Sequence, residues 1–183
     1  MINSNPYYLN RMVFSNSTIS HMDFEEVFEN IIAFISKDPL AQYKLAIGTD
    51  SHVKSETRFV SAIHVHRIGL DGIGKGAWGC IKQYVLPRRI SSLREKISIE
   101  TSLTQELLFL FDYTRVSQIL DILIPYADKG ADFTLEAHID IGRKGATRDL
   151  IQEMLGRFTH MGVEAKIKPD SYAASSYADR YTK

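Results

Sequence analysis

Two segments of this chain end an apolar run in an aspartate. Lys44-Leu-Ala-Ile-Gly-Thr-Asp50 passes from a buried-strand pattern into the small residues Gly48-Thr49-Asp50-Ser51. Phe133-Thr-Leu-Glu-Ala-His-Ile-Asp140 does the same just before Ile141-Gly142. A single Asp at a strand end is an ordinary turn former, because its side chain bonds to its own backbone. Two of them carry more. If the strands pair in parallel, Asp50 and Asp140 sit side by side at the C-terminal ends, where ligands bind in α/β sheets. Adjacent carboxylates repel, and a cation is the usual way to neutralise them.

Further acids are candidates for the same site. At 100° per residue, Leu93, Ile97, Thr104, Leu107 and Phe111 form one helical stripe with Glu100 near its centre, while Glu95 and Glu106 fall off it. A carboxylate on a core-facing stripe needs a partner. An arginine such as Arg94 or Arg143 would serve, as would a shared cation. Asp170 follows a strand pattern and reads equally as a turn residue or helix N-cap. Asp179 lies on the last helical stretch and reads alternatively as an exposed partner of Arg180 or Lys183. His64 and His66 share one face of a strand without a third ligand nearby, which is a poor metal site. The glycine-rich turn Asp71-Gly-Ile-Gly-Lys-Gly76 joins two strands and lacks the Gly-Lys-Ser/Thr ending of a phosphate loop.

The elements that must position these residues follow from periodicity. Residues 1–20 form a polar N-terminal arm, ordered only if it docks, and residues 21–183 form a single domain. A helix capped by Ser20 carries Phe24, Val27, Phe28, Ile31, Ile32 and Ile35 on one face and stops near Asp38-Pro39. Strands are expected at 44–50, 58–68 and 77–86. A long helix from Ser91 or Ser92 to about Tyr113 follows, then a helix at 116–126. Residues 132–141 are a strand, 146–161 a helix capped by Gly162, 163–168 a strand, and 171–183 a short helix. This β-β-β-α-(α)-β-α-β-α order predicts an α/β fold with a mixed five-stranded sheet flanked by helices.

Composition narrows the class. The 183 residues are 44% hydrophobic and 24% charged, enough for a sizeable core. The one cysteine, Cys80, excludes an internal disulfide framework and fits a reducing, cytoplasmic setting. No apolar run reaches membrane-span length, so no membrane partner is expected. Net charge is zero, which argues against a broad nucleic-acid surface, but residues 141–183 hold eight Lys/Arg against five Asp/Glu. Arg143, Lys144 and Arg148 follow Asp140, and Lys166 and Lys168 precede Asp170. Such a cluster holds phosphates by charge alone, or is a solvated helix start and a lysine-guarded edge strand.

The element order and the acids resemble the ribonuclease H fold, whose members carry an Asp on the first strand, a Glu on the first helix, an Asp ending the fourth strand and an Asp on the last helix. Here these positions are Asp50, Glu100, Asp140 and Asp179. Gly48-Thr49-Asp50-Ser51 is similar to the Thr-Asp-Gly-Ser start of that family. Asp170 stands where many members have a loop histidine. More narrowly, Ile47-Gly-Thr-Asp-Ser-His52, His138-Ile-Asp-Ile141 and Lys166-Ile-Lys-Pro-Asp-Ser-Tyr-Ala-Ala-Ser-Ser-Tyr-Ala-Asp-Arg-Tyr-Thr-Lys183 resemble the YkuK family of bacterial ribonuclease H-like proteins, over residues 21–183.

The resemblance implies a metal-dependent nuclease acting on RNA, DNA or a hybrid. Four converging carboxylates would suit Mg2+ or Mn2+, and two such ions about 4 Å apart activate a water and stabilise the leaving oxygen of a phosphodiester. Asp50 would bridge both ions, Glu100 and Asp140 would hold one side, and Asp179 or Asp170 the other. His52, Arg143, Lys144, Arg148 and Lys168 are the expected substrate contacts. The rivals are a non-catalytic module of the same fold that binds nucleic acid or protein, and an actin-like phosphotransferase, which would need two such domains. The helices near 20–38 and 116–126 are candidate homodimer contacts.

Overall fold

The computed structural model describes residues 12–142, 148–178 and 181. Its sheet has five strands: β1 (Gln42–Val53), β2 (Thr57–Ile68), β3 (Gly74–Leu86), β4 (Asp132–Ile139) and β5 (Glu164–Lys166). They lie in the order β3-β2-β1-β4-β5. The hairpin-linked β1, β2 and β3 pair antiparallel, whereas β4 is parallel to both β1 and β5. The chain forms the mixed five-stranded α/β sheet of the ribonuclease H-like fold.

Helix α1 (Phe24–Ser36) buries Phe24, Val27, Phe28, Ile31 and Ile35, as its periodicity predicts. Its N-cap is Asp23 rather than Ser20. Asp23 accepts from the Glu26 N–H while the Glu26 side chain accepts from the Asp23 N–H, a reciprocal capping box that Ser20 does not form, since the residue three on from it is the shorter Asp23 rather than Glu or Gln. A bridge between Phe14 and Met22 also holds the chain extended up to that point. The described part of the N-terminal arm docks: Met12 and Phe14 are buried, and Ser15 pairs with Ile81, covering the outer edge of β3.

The long helix α2 (Leu93–Leu108) starts at the Ser92 cap but ends short of Tyr113. Asp112 caps α3 (Tyr113–Leu123), so the chain must turn between Leu108 and Asp112. Helix α3 stops before Pro125, and a 3₁₀ segment (Ile124–Lys129) leads to Gly130, whose φ of +98° suits glycine. The helix expected at 146–161 is much shorter: a 3₁₀ turn (Arg148–Leu150), α4 (Ile151–Gly156) and a second 3₁₀ turn (Thr159–Met161). Gly156 lowers helix propensity where the helix stops. Gly162 does close the segment, with φ +66°. The C-terminal segment is short and wound as a π-helix (Ala173–Ala178).

The main core lies between the sheet and α1 to α3, around Leu45, Ile47, Ile63, Ile97, Leu107 and Phe111. A smaller cluster of Val60, Ala62, Ile81 and Ala178 sits beneath the C-terminal segment, with Tyr177 and Tyr181 packed on it. That segment comes so close to β1 that a Cβ on Gly48 would lie 2.8 Å from the Ala174 nitrogen and 2.8 Å from the His138 carbonyl oxygen. Both obstacles are backbone and cannot swing aside. Gly48→Ala should therefore destabilise the protein by about 1–3 kcal/mol, measured by urea denaturation, and should loosen the C-terminal segment first, seen as faster amide exchange at Ala174.

Candidate functional site

The β1–β4 register pairs Gly48 with His138 and Thr49 with Ile139, so the next residues along, Asp50 and Asp140, stand beside each other. Alternation then divides β1 between two layers. Thr49 and Ser51 face α2: the Thr104 hydroxyl donates to Thr49 Oγ1 at 3.0 Å, and Thr49 Oγ1 lies 2.8 Å from Ser61 Oγ. The Ser51 hydroxyl donates to Glu100 Oε1 at 2.7 Å. This hydroxyl staple fixes α2 on the strand. Asp50 projects to the other side, where Gly48 meets Ala174, and is 8% exposed.

Glu100 is 3% exposed and belongs to the buried face of α2, as the stripe predicts. Its partner is neither Arg94, which pairs with Glu153, nor any other arginine among the described residues. It is Lys96, one helical turn earlier, with Nζ 3.2 Å from Oε1. Burial pushes the Glu100 carboxyl up to about 7; Lys96 and Ser51 pull against this, and the nearby Asp50 adds to it. Asp140 is partly buried beyond β4, and Lys168 Nζ lies 2.8 Å from its Oδ1. The approach is ionic, since among the described residues that oxygen has no partner at hydrogen-bond angles. The Lys168 N–H bonds the Ile141 carbonyl at 3.0 Å, which carries the β4–β5 ladder outward and sets the lysine over the acid.

Asp50, Glu100 and Asp140 thus come to one end of the sheet from β1, α2 and the end of β4. His52, two residues on from Asp50 and half-buried, pairs across the hairpin with Arg58. Asp170 is exposed in the turn after β5, where its N–H bonds the Ile167 carbonyl, and follows the cis Lys168–Pro169 bond. Asp179, Arg143 and Lys144 lie outside the described residues. Arg148 opens a 3₁₀ turn, and its side chain is also outside them. Among the described residues, no three or more His, Cys, Asp or Glu side chains are spaced to hold a metal ion. His64 and His66 have ring centres 6.3 Å apart, and His64 packs on Tyr172 and Tyr177. Burial, then the charges of His66 and His138, lowers the His64 pKa to about 4.

Sequence reasoning missed Lys96, Ser51 and His138. The i, i+4 spacing of Lys96 and Glu100 was a legible signal. The other two depend on contacts between distant segments. His138 is fully buried, accepts from the Ala173 N–H through Nδ1 at 3.0 Å, and so donates from Nε2 to Glu136, 2.9 Å away. This hydrogen bond holds Glu136 below the usual carboxylate range against the opposing effect of burial. It also moors the start of the C-terminal segment to β4.

A buried acid whose folded pKa lies above its unfolded one binds its proton more tightly when folded. The stability it lends is present below the unfolded value and is lost as pH rises toward 7. The Glu100 side-chain carbon should titrate near pH 7 by NMR. Glu100→Gln should flatten the fall in stability between pH 5 and pH 8 by about 1–3 kcal/mol, measured by denaturant titration across that range.

Comparison with known proteins agrees with this fold. The profile described as "Ribonuclease H-like" matches residues 26–183. The chain is 52% identical over 172 residues to "Uncharacterized protein YkuK" of Bacillus subtilis (strain 168), covering 93% of this chain and 97% of that one. No solved structure matches. No helix among the described residues is long and apolar enough to cross a membrane. With the fold and this likeness in agreement, the chain belongs to the YkuK family of ribonuclease H-like proteins.

Proposed function

We propose that this protein is a divalent-metal-dependent nuclease that hydrolyses phosphodiester bonds of nucleic acid, whether RNA, DNA or a hybrid. The observation that carries the reading is the burial of Asp50 and Glu100, with Asp140 alongside, at the C-terminal end of the parallel β1–β4 pair. Burying carboxylates together costs several kcal/mol unless cations balance them. Their donors are all hard oxygens, which fit Mg2+ or Mn2+. Asp50, Glu100 and Asp140, which are not spaced for an ion as they stand, would have to close on it when it binds, with Asp179 or Asp170 completing the set. When bound, the ion activates the attacking water and offsets charge on the leaving oxygen.

The chain's own residues do the rest. Ser51 fixes one oxygen of Glu100, and the Thr49–Thr104 contact holds α2 in register with β1. Lys168, His52, Arg143, Lys144 and Arg148 hold the phosphate backbone, a contact that orients the strand without reading its sequence. One observation favours a second reading, a nucleic-acid-binding module without cleavage: Lys96 and Lys168 already occupy carboxylate oxygens of Glu100 and Asp140.

Cleavage of labelled RNA, DNA and hybrid oligonucleotides in Mn2+ or Mg2+ separates the two. The nuclease reading expects metal-dependent products that fall by about 100-fold or more in Asp50→Asn and Asp140→Asn. Salt-sensitive oligonucleotide binding with no products from a folded protein would establish the binding module instead.

A further inference from the structure

We infer that Lys96 and Lys168 are the acid cluster's resident counter-cations, balancing Glu100 and Asp140 in the metal-free protein and competing with the divalent ion for them. The inference rests on the metal-site reading above and says how that site is loaded.

Lys96 is badly placed for its own helix. It sits near the N-terminus of α2, where the helix dipole disfavours a cation, and it precedes its glutamate, the less favourable order for an i, i+4 pair. Its side chain is nevertheless only 25% exposed and reaches Glu100 Oε1 at 3.2 Å. Its charge also interacts with Asp50 and Asp140, so one ammonium serves three acids. Lys168 is held over Asp140 by the backbone bond to Ile141, yet its own side chain is 47% exposed. One lysine is therefore mostly buried and the other half in solvent. Both touch oxygens that a divalent ion would need. A 2+ ion brought beside them also meets two like charges, so loading requires Lys168 to withdraw toward solvent and weakens the hold of Lys96 on Glu100. Lys168, once withdrawn, is placed to meet a substrate phosphate.

The test pairs Mn2+ calorimetry with thermal unfolding of the metal-free protein, on wild type, Lys96→Met, Lys168→Met and Lys96→Arg. Methionine keeps the apolar stem and removes the charge. Counter-cations predict opposite signs in the two readouts: each methionine variant unfolds at a lower temperature without metal and binds Mn2+ about three- to tenfold more tightly, while Lys96→Arg stays near wild type in both. Lys168 is exposed enough that its variant will fold even if Lys96→Met does not. Wild type that binds Mn2+ while Lys168→Met binds it no tighter overturns the competition and leaves the metal site standing. Binding by the methionine variants but not by wild type supports it in its strongest form. No binding by any folded variant, with or without oligonucleotide, overturns the metal-site reading and this inference with it.

Discussion

Parallel pairing of β1 with β4 is the constraint on which the rest of this structure depends. The register that sets Thr49 against Ile139 also sets the following aspartates side by side, and neither can move without shifting a ladder of backbone hydrogen bonds. Like charges held that close need compensation, and the surrounding elements supply it from several directions: Ser51 and Lys96 on Glu100, and Lys168 on Asp140. At this end of the sheet the charges of Glu100 and Asp140 are balanced by lysines from the chain itself.

The two faces of β1 have different tasks at this end. On one, Thr49, Ser51, Ser61 and Thr104 form a buried hydroxyl network that locks α2 and delivers Glu100. On the other, Gly48 leaves room for Ala174, and the fully buried His138 anchors Ala173, which brings the C-terminal segment down beside Asp50. A fully apolar interface would have packed these layers as tightly, but hydroxyl and imidazole bonds fix their register along the strand, which matters when carboxylates on separate elements must converge.

Membership of a family fixes the fold and leaves activity to the chemistry of the site. The relative in Bacillus subtilis carries no assigned activity in its name. The functional reading therefore stands on acids brought to the C-terminal end of the parallel strands and on the lysines that balance them, not on a borrowed label.

Local pattern was enough for much of this protein. The apolar runs of β1 and β4, the period of α1, the placement of Glu100 on a buried stripe and the closing role of Gly162 are all properties of short windows, and each is set by side-chain spacing against a backbone period. Asp140, just past the end of β4, was legible for the same reason, whereas β1 runs three residues beyond Asp50 to Val53, because its antiparallel ladder with β2 continues where the parallel pairing with β4 stops. What the windows did not determine was where competing local signals would resolve: Asp23 displaced Ser20 as a cap because Glu26 completes its box, and Asp112 ended α2 by capping α3. The partners of the acids were further out of reach. Lys168 meets Asp140 only once β5 has paired with β4, and Ser51 meets Glu100 across 49 residues of chain. Those contacts are decided by the packing of the sheet and its helices, because a charge selects the nearest opposite group in space, and sequence separation says little about which group that is.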